Sequence, residues 1–209
     1  MVEAGWALPR RLLHWGSAGL VVAGFVLGWV MVAVPFRPLL LKFTLYQAHK
    51  SIGLLVLGLA VVRVGLLVRG RPGWAVGLSA WEVGLARLGH AGLLGLLIVV
   101  PVLGYLVAST AALPVPTVFL GVLRVPHVLA RDPALFAVLR QVHRAAACLL
   151  VLLAAGHGVM AVVHHRRGLG VLRGMWAGRF DRVGFDRAGD CGETAASLQS
   201  RTAHPQRNV

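Results

Sequence analysis

Charge is scarce in this sequence, and acidic charge most of all. Only 13% of the 209 residues are Asp, Glu, Lys or Arg, against about 25% in an ordinary soluble domain. With 57% hydrophobic residues and a mean hydropathy of +0.76, a water-soluble globular protein is excluded, and an integral membrane protein is predicted. Cysteine is nearly missing too. Cys148 lies in an apolar run and Cys191 in a polar stretch, with no CxxC pair, which excludes a disulfide framework, a thiolate metal site and c-type heme attachment. Seven acids against 21 Lys and Arg leave a net charge of +14. The cations flank apolar runs and form no soluble basic face, so membrane lipid headgroups are the expected anionic partners, and no nucleic acid is.

The chain has four long apolar runs, about Leu12–Val34, Tyr46–Val68, Leu88–Ala108 and Gln141–His165. Each is close to the roughly 20 residues that carry an α-helix across a bilayer, so the fold class predicted is all-α, an integral membrane four-helix bundle. The first run is longer than the apolar part of a signal peptide and is read as a retained span. Pro35 and Pro38 stop the first helix. Arg69 to Arg87 reads as a Gly/Pro/Trp loop, its Trp74 and Trp81 suited to the headgroup zone. Pro101 predicts a kink in the third span. The proline-rich segment Ser109–Arg140 reads as an interfacial excursion with one short amphipathic helix. Arg63, near the end of the second run, is expected to snorkel to the interface. The bundle domain is placed at 1–180 and a disordered polar tail at 181–209. No internal repeat is evident, and the distribution of Lys and Arg predicts both termini on the cytoplasmic side.

Metal-ligating side chains reduce to histidine. His143 and His157 lie 14 positions apart in the last run, which on a helix is roughly 21 Å of axis and within about 40° of one face. Ionisable groups inside the hydrocarbon mark functional sites with partners on neighbouring helices. His14 shares the inner depth of His157, and His49 the outer depth of His143. Two such opposed pairs would hold two iron porphyrins as an electron wire. A porphyrin along a helix needs a small residue one turn past its ligand. Ala18, Gly53, Ala147 and Ala161 occupy those positions, whereas His90, His127 and His165 are followed by Leu94, Arg131 and Leu169. His90 shares the inner depth and stays open as an alternative partner of His14. Small residues also serve close packing in membrane helices, so a non-redox bundle with hydrogen-bonding histidines stays open as well. His127 reads as a loop residue and His204 as a tail residue.

The runs RLLHW, HKSIG, VVRVGLLVRGRP, LGHAGLLGLLIVVPVLGYL and VHRAAACLLVLLAAGHGVMAVVHH, between Pro9 and Trp176, resemble the bacterial cytochrome b561 family in order and spacing. The resemblance implies a four-helix protein of the bacterial inner membrane with two hemes (heme b), held by His14, His49, His143 and His157. It further implies transfer of electrons from superoxide, taken up on the outer side, to ubiquinone or another quinone, as in a superoxide oxidase. Lys50 and Arg144 directly follow the proposed outer ligands. With Arg37, Lys42, Arg124, Arg131 and Arg140 they form a rim of one sign, opposed by Asp132 alone, that would attract a small anion. His164, His90 and Arg87 are the expected quinone contacts near the inner pair. A second reading is a cytochrome b relay subunit, passing electrons from a redox partner protein such as a dehydrogenase to the quinone pool.

Overall fold

The computed structural model describes residues 8–35, 37–69, 78–113, 115–169 and 171–177. The expected polar tail at 181–209 and Trp74 lie outside them. Four helices dominate: α1 (Leu8–Ala33), α2 (Leu39–Arg69), α3 (Ala80–Thr110) and α4 (Pro133–Arg166), each long and apolar enough to cross a membrane. Consecutive helices pack side by side, α1 on α2, α2 on α3 and α3 on α4, while α1 meets α4 sparsely. A short helix, α5 (Val171–Ala177), folds back from the end of α4.

The apolar core sits at mid-height. Val56, Ala60, Leu97 and Leu150 form the core, with Leu20 and Val21 of α1 packed against it. Most other large apolar side chains face outward, among them Leu40, Val68 and Val122. Such a surface is costly in water and matched to lipid.

The helices start earlier than the apolar runs do, and at α3 and α4 local caps account for it. At α3 the Glu82 carboxylate accepts from the Ser79 backbone N–H (2.9 Å) and hydroxyl (2.7 Å), a capping box that turns Ala80–Arg87 into helix where a loop is expected. Trp81 accordingly stands exposed on α3. At α4, Asp132 accepts from the backbone N–H groups of Ala134 (2.9 Å) and Leu135 (3.0 Å), with Pro133 in the first turn. Proline there starts a helix instead of breaking one, since its missing N–H would have had no partner. Pro101 lies within the uninterrupted α3.

Among its described residues, the segment before α4 holds a β-hairpin and no short amphipathic helix. Strands β1 (Thr117–Phe119) and β2 (Leu123–Val125) pair antiparallel, Val118 opposite Arg124. Leu120 and Gly121 at the bend both have positive φ, +49° and +76°, the conformation a tight hairpin turn requires. α2 anchors the hairpin by side chains. Gln47 donates to the Pro116 carbonyl (2.7 Å) and accepts from the Val118 N–H (3.1 Å), and the Ser51 hydroxyl accepts from the Leu120 N–H (3.0 Å). Tyr105 of α3 donates to the Pro126 carbonyl. The hairpin is thereby fixed across one end of the bundle, and α5 lies at the other.

Candidate functional site

At the hairpin end, His49 of α2 and His143 of α4 face one another with ring centroids 6.2 Å apart. Two imidazoles on opposite sides of one metal, each bonded at about 2.0–2.1 Å, have centroids roughly 6.3 Å apart. Both rings are held from behind. His49 Nδ1 lies 3.0 Å from the Gly24 carbonyl on α1, and His143 Nδ1 lies 3.0 Å from the Val100 carbonyl on α3. A carbonyl accepts only, so each Nδ1 carries the proton and each Nε2 keeps its lone pair for a metal. One turn beyond each carbonyl sits a glycine. A Cβ at Gly28 would meet His49 Cε1 at 3.2 Å, and one at Gly104 would meet His143 Cε1 at 3.0 Å. The same device, a carbonyl and a glycine four residues later, thus recurs on α1 and α3.

At the α5 end, three imidazoles converge. His14 of α1 and His157 of α4 have ring centroids 6.1 Å apart, while His90 of α3 and His157 are 5.0 Å apart. The first separation suits a shared metal; the second is too short for one between the rings. His90 Nδ1 instead meets the Ala86 carbonyl of its own helix at 2.6 Å. Below this cluster α5 closes the end, where Arg11 donates to the Met175 carbonyl (3.1 Å) and the Trp15 ring meets that of Trp176 at a tilt, centroids 4.9 Å apart.

Other expected site residues fall in varied places. Lys50 is half-buried and donates to the Val115 carbonyl (3.3 Å), so its charge is turned to the hairpin. Lys42 is buried and donates to the Val34 carbonyl (2.7 Å), so it is no part of an exposed rim. Arg37, Arg124, Arg131, Arg140 and Arg144 are exposed. His127 lies under the hairpin, 3.4 Å from the Thr117 hydroxyl; burial, and then the Lys50 charge, hold it below the usual imidazole range. His164, in the last turn of α4, has a buried Nδ1 with no hydrogen-bond partner among the described residues, as has His165 beside it. Arg87 is exposed on α3, three residues before His90.

Two groups escaped sequence reasoning. Gly28 and Gly104 lie on helices facing the ligand helices, whereas the small residues sought in sequence follow the histidines on their own helix. A Cβ at Gly53, one of the latter, would meet nothing within 4 Å. Arg63 was expected to snorkel, yet its guanidinium donates to the Leu13 carbonyl at 2.6 Å. An inward hydrogen bond beside His14 outweighs the reach to the interface.

No group of three or more His, Cys, Asp or Glu side chains suited to a bare metal ion occurs among the described residues. Heme does not need one, because the porphyrin supplies four nitrogens and the protein only the axial pair. His49 and His143, opposed and with each Nδ1 taken by a backbone carbonyl, fit it.

A model of the prokaryotic cytochrome b561 family matches residues 5–178. The chain is also 33% identical over 160 residues to cytochrome b561 homolog 2 of Escherichia coli strain K12, covering 73% of this chain and 80% of that protein. Matched over most of its length, with histidines opposed across four apolar helices, the chain belongs to the prokaryotic cytochrome b561 family, bacterial membrane electron-transfer proteins that bind b-type heme.

Proposed function

We propose that this protein holds two b hemes, one between His49 and His143 and one between His14 and His157, and carries electrons from superoxide to a quinone. The observation that carries this reading is the hairpin-side pair, 6.2 Å between centroids with both Nδ1 atoms committed to backbone carbonyls. Heme, when bound, supplies one-electron chemistry. Held by an imidazole from each of two helices, a heme would suit electron transfer over oxygen binding. The α5 end faces the cytoplasm and the hairpin end the outside, following the Arg-rich flanks of the spans.

The chain's own residues divide the work. Arg144 and the other exposed arginines of the hairpin end attract a small anion and raise its rate of encounter. Two superoxide ions each give up one electron there and leave as dioxygen. At the α5 end a quinone takes both electrons and two protons to become a quinol. The Nδ1 of His164, without a partner among the described residues, would hydrogen-bond a quinone carbonyl, with His90 and Arg87 as further polar groups at that end.

A reduced-minus-oxidised spectrum with heme counting tests the ligands. Wild type is expected to hold two b hemes, and His14→Ala and His143→Ala one each. Two hemes in His143→Ala, with one lost in His127→Ala, would show the hairpin-side assignment to be wrong. For the activity, purified protein is expected to consume superoxide and form quinol, more slowly as salt is added. Two hemes without quinol formation above the uncatalysed rate would favour a relay subunit fed by a partner dehydrogenase.

A further inference from the structure

Arg63 is a half-buried cation on a membrane-spanning helix. Its Nη2 donates to the Leu13 carbonyl at 2.6 Å, and the Ser17 hydroxyl donates to the same oxygen at 2.7 Å. That carbonyl belongs to the peptide unit whose nitrogen is His14's, so the guanidinium is fixed one residue from a proposed ligand. The described residues include two carboxylates, and both are engaged elsewhere: Glu82 pairs with Arg167 at 2.9 Å, and Asp132 caps α4. No ion pair among the described residues neutralises Arg63. Away from bulk water its field is screened little by salt.

We propose that Arg63 is a positioning residue of the α5-side site, fixing the His14 turn and raising the reduction potential of the heme held there, an inference that rests on ligation by His14 and His157. The physics is one of charge balance. Taking up one electron lowers the charge of the site by one unit, and a fixed cation nearby stabilises that reduced form more than the oxidised one. Among the described residues the hairpin-side cations beside the ligands are held differently: Lys50 is turned to the Val115 carbonyl of the hairpin, and Arg144 is exposed to solvent. The effect biases electrons toward the α5 end, where the quinone is placed.

Redox titration of the purified, heme-loaded protein in lipid nanodiscs tests this, with His49→Ala as a background that isolates the α5-side heme. Arg63→Gln should shift its reduction equilibrium toward the oxidised form by about tenfold, equivalent to about 59 mV for a one-electron couple. Arg63→Lys, which keeps the charge, should stay within about threefold of the parent, and Ser17→Ala, which removes only a neutral donor to Leu13, within about twofold. A second route leaves Arg63 in place. Leu67 is exposed one turn further along α2, so Leu67→Glu sets a carboxylate beside the guanidinium and should shift the equilibrium the same way by about twofold to threefold. An unchanged potential in Arg63→Gln, an equal shift of both hemes in the His49-containing protein, or a shift in Ser17→Ala as large as in Arg63→Gln would overturn the proposal. Should Arg63→Gln not fold, Leu67→Glu decides, and no shift there overturns it. Two hemes retained in His14→Ala would defeat the ligand assignment itself; two wild-type hemes whose potentials ignore residue 63 would defeat only this inference.

Discussion

The two histidine pairs of this bundle share a separation and differ in almost everything around it. His49 and His143 are each backed by a neighbouring-helix carbonyl and pressed by a glycine of that helix. Their rings have one orientation and one available nitrogen. His14 and His157 share their end with a third imidazole, with the inward guanidinium of Arg63, and with His164, whose Nδ1 has no partner among the described residues. A site that only passes electrons gains from rigidity, because little then needs to reorganise. A site where electrons meet protons needs additional polar groups within reach. The contrast supports placing the quinone at the α5 end.

Steric change at the facing glycines should break this comparison most severely. Gly104→Val is expected to lower occupancy of the hairpin-side heme more than tenfold while the α5-side heme remains, since its Cβ alone would stand 3.0 Å from His143 Cε1. Heme counting by the pyridine hemochrome spectrum reads this directly. Gly28→Ala should be milder than Gly104→Ala, its closest contact being 3.2 Å, and Gly53→Ala, with open space around it, should keep both hemes. Equal losses from all three would remove the claim that the facing helices shape the site.

Charge at the rim should have the next largest effect. Arg144→Glu is expected to slow superoxide uptake severalfold at low salt and much less at high salt, because exposed charges are screened over about 10 Å at 0.1 M. Stopped-flow rates at several ionic strengths provide the check. His164→Gln should raise the quinone KM several-fold with both hemes retained; a KM unchanged from wild type would move the quinone away from this residue. The smallest effect expected is structural. Asp132→Ala removes an N-cap and should cost about 1 kcal/mol, seen as a Tm lower by a few degrees with unchanged potentials.

Much of this was legible in the chain because lipid imposes few solutions. Runs of about 20 apolar residues must be helices, since unpaired backbone groups cannot face hydrocarbon. The 14-residue spacing of His143 and His157 then sets two depths. The segment Ser109–Arg140 reads as interfacial by its short apolar pieces, although its Asp132–Pro133 dipeptide is a helix start and α4 begins there. Ser79 and Glu82 hold the corresponding signal for α3. Arg63 was misread for a different reason. A cation near a helix end has both an interface and a bundle interior within its reach, and composition does not say which one offers an acceptor.

The sequence by itself determined the number of spans, the depth of each histidine and hence which rings can meet, because helix rise and bilayer thickness convert residue number into height. Only the tertiary structure decided which carbonyl orients each ring, which glycine makes room for it, that His14 stands at a metal-sharing distance from His157 while His90 stands closer, and that Arg63 points inward. Those outcomes depend on the rotation of one helix against another, and rotation is set by side chains meeting across the bundle, with partners far apart in the chain.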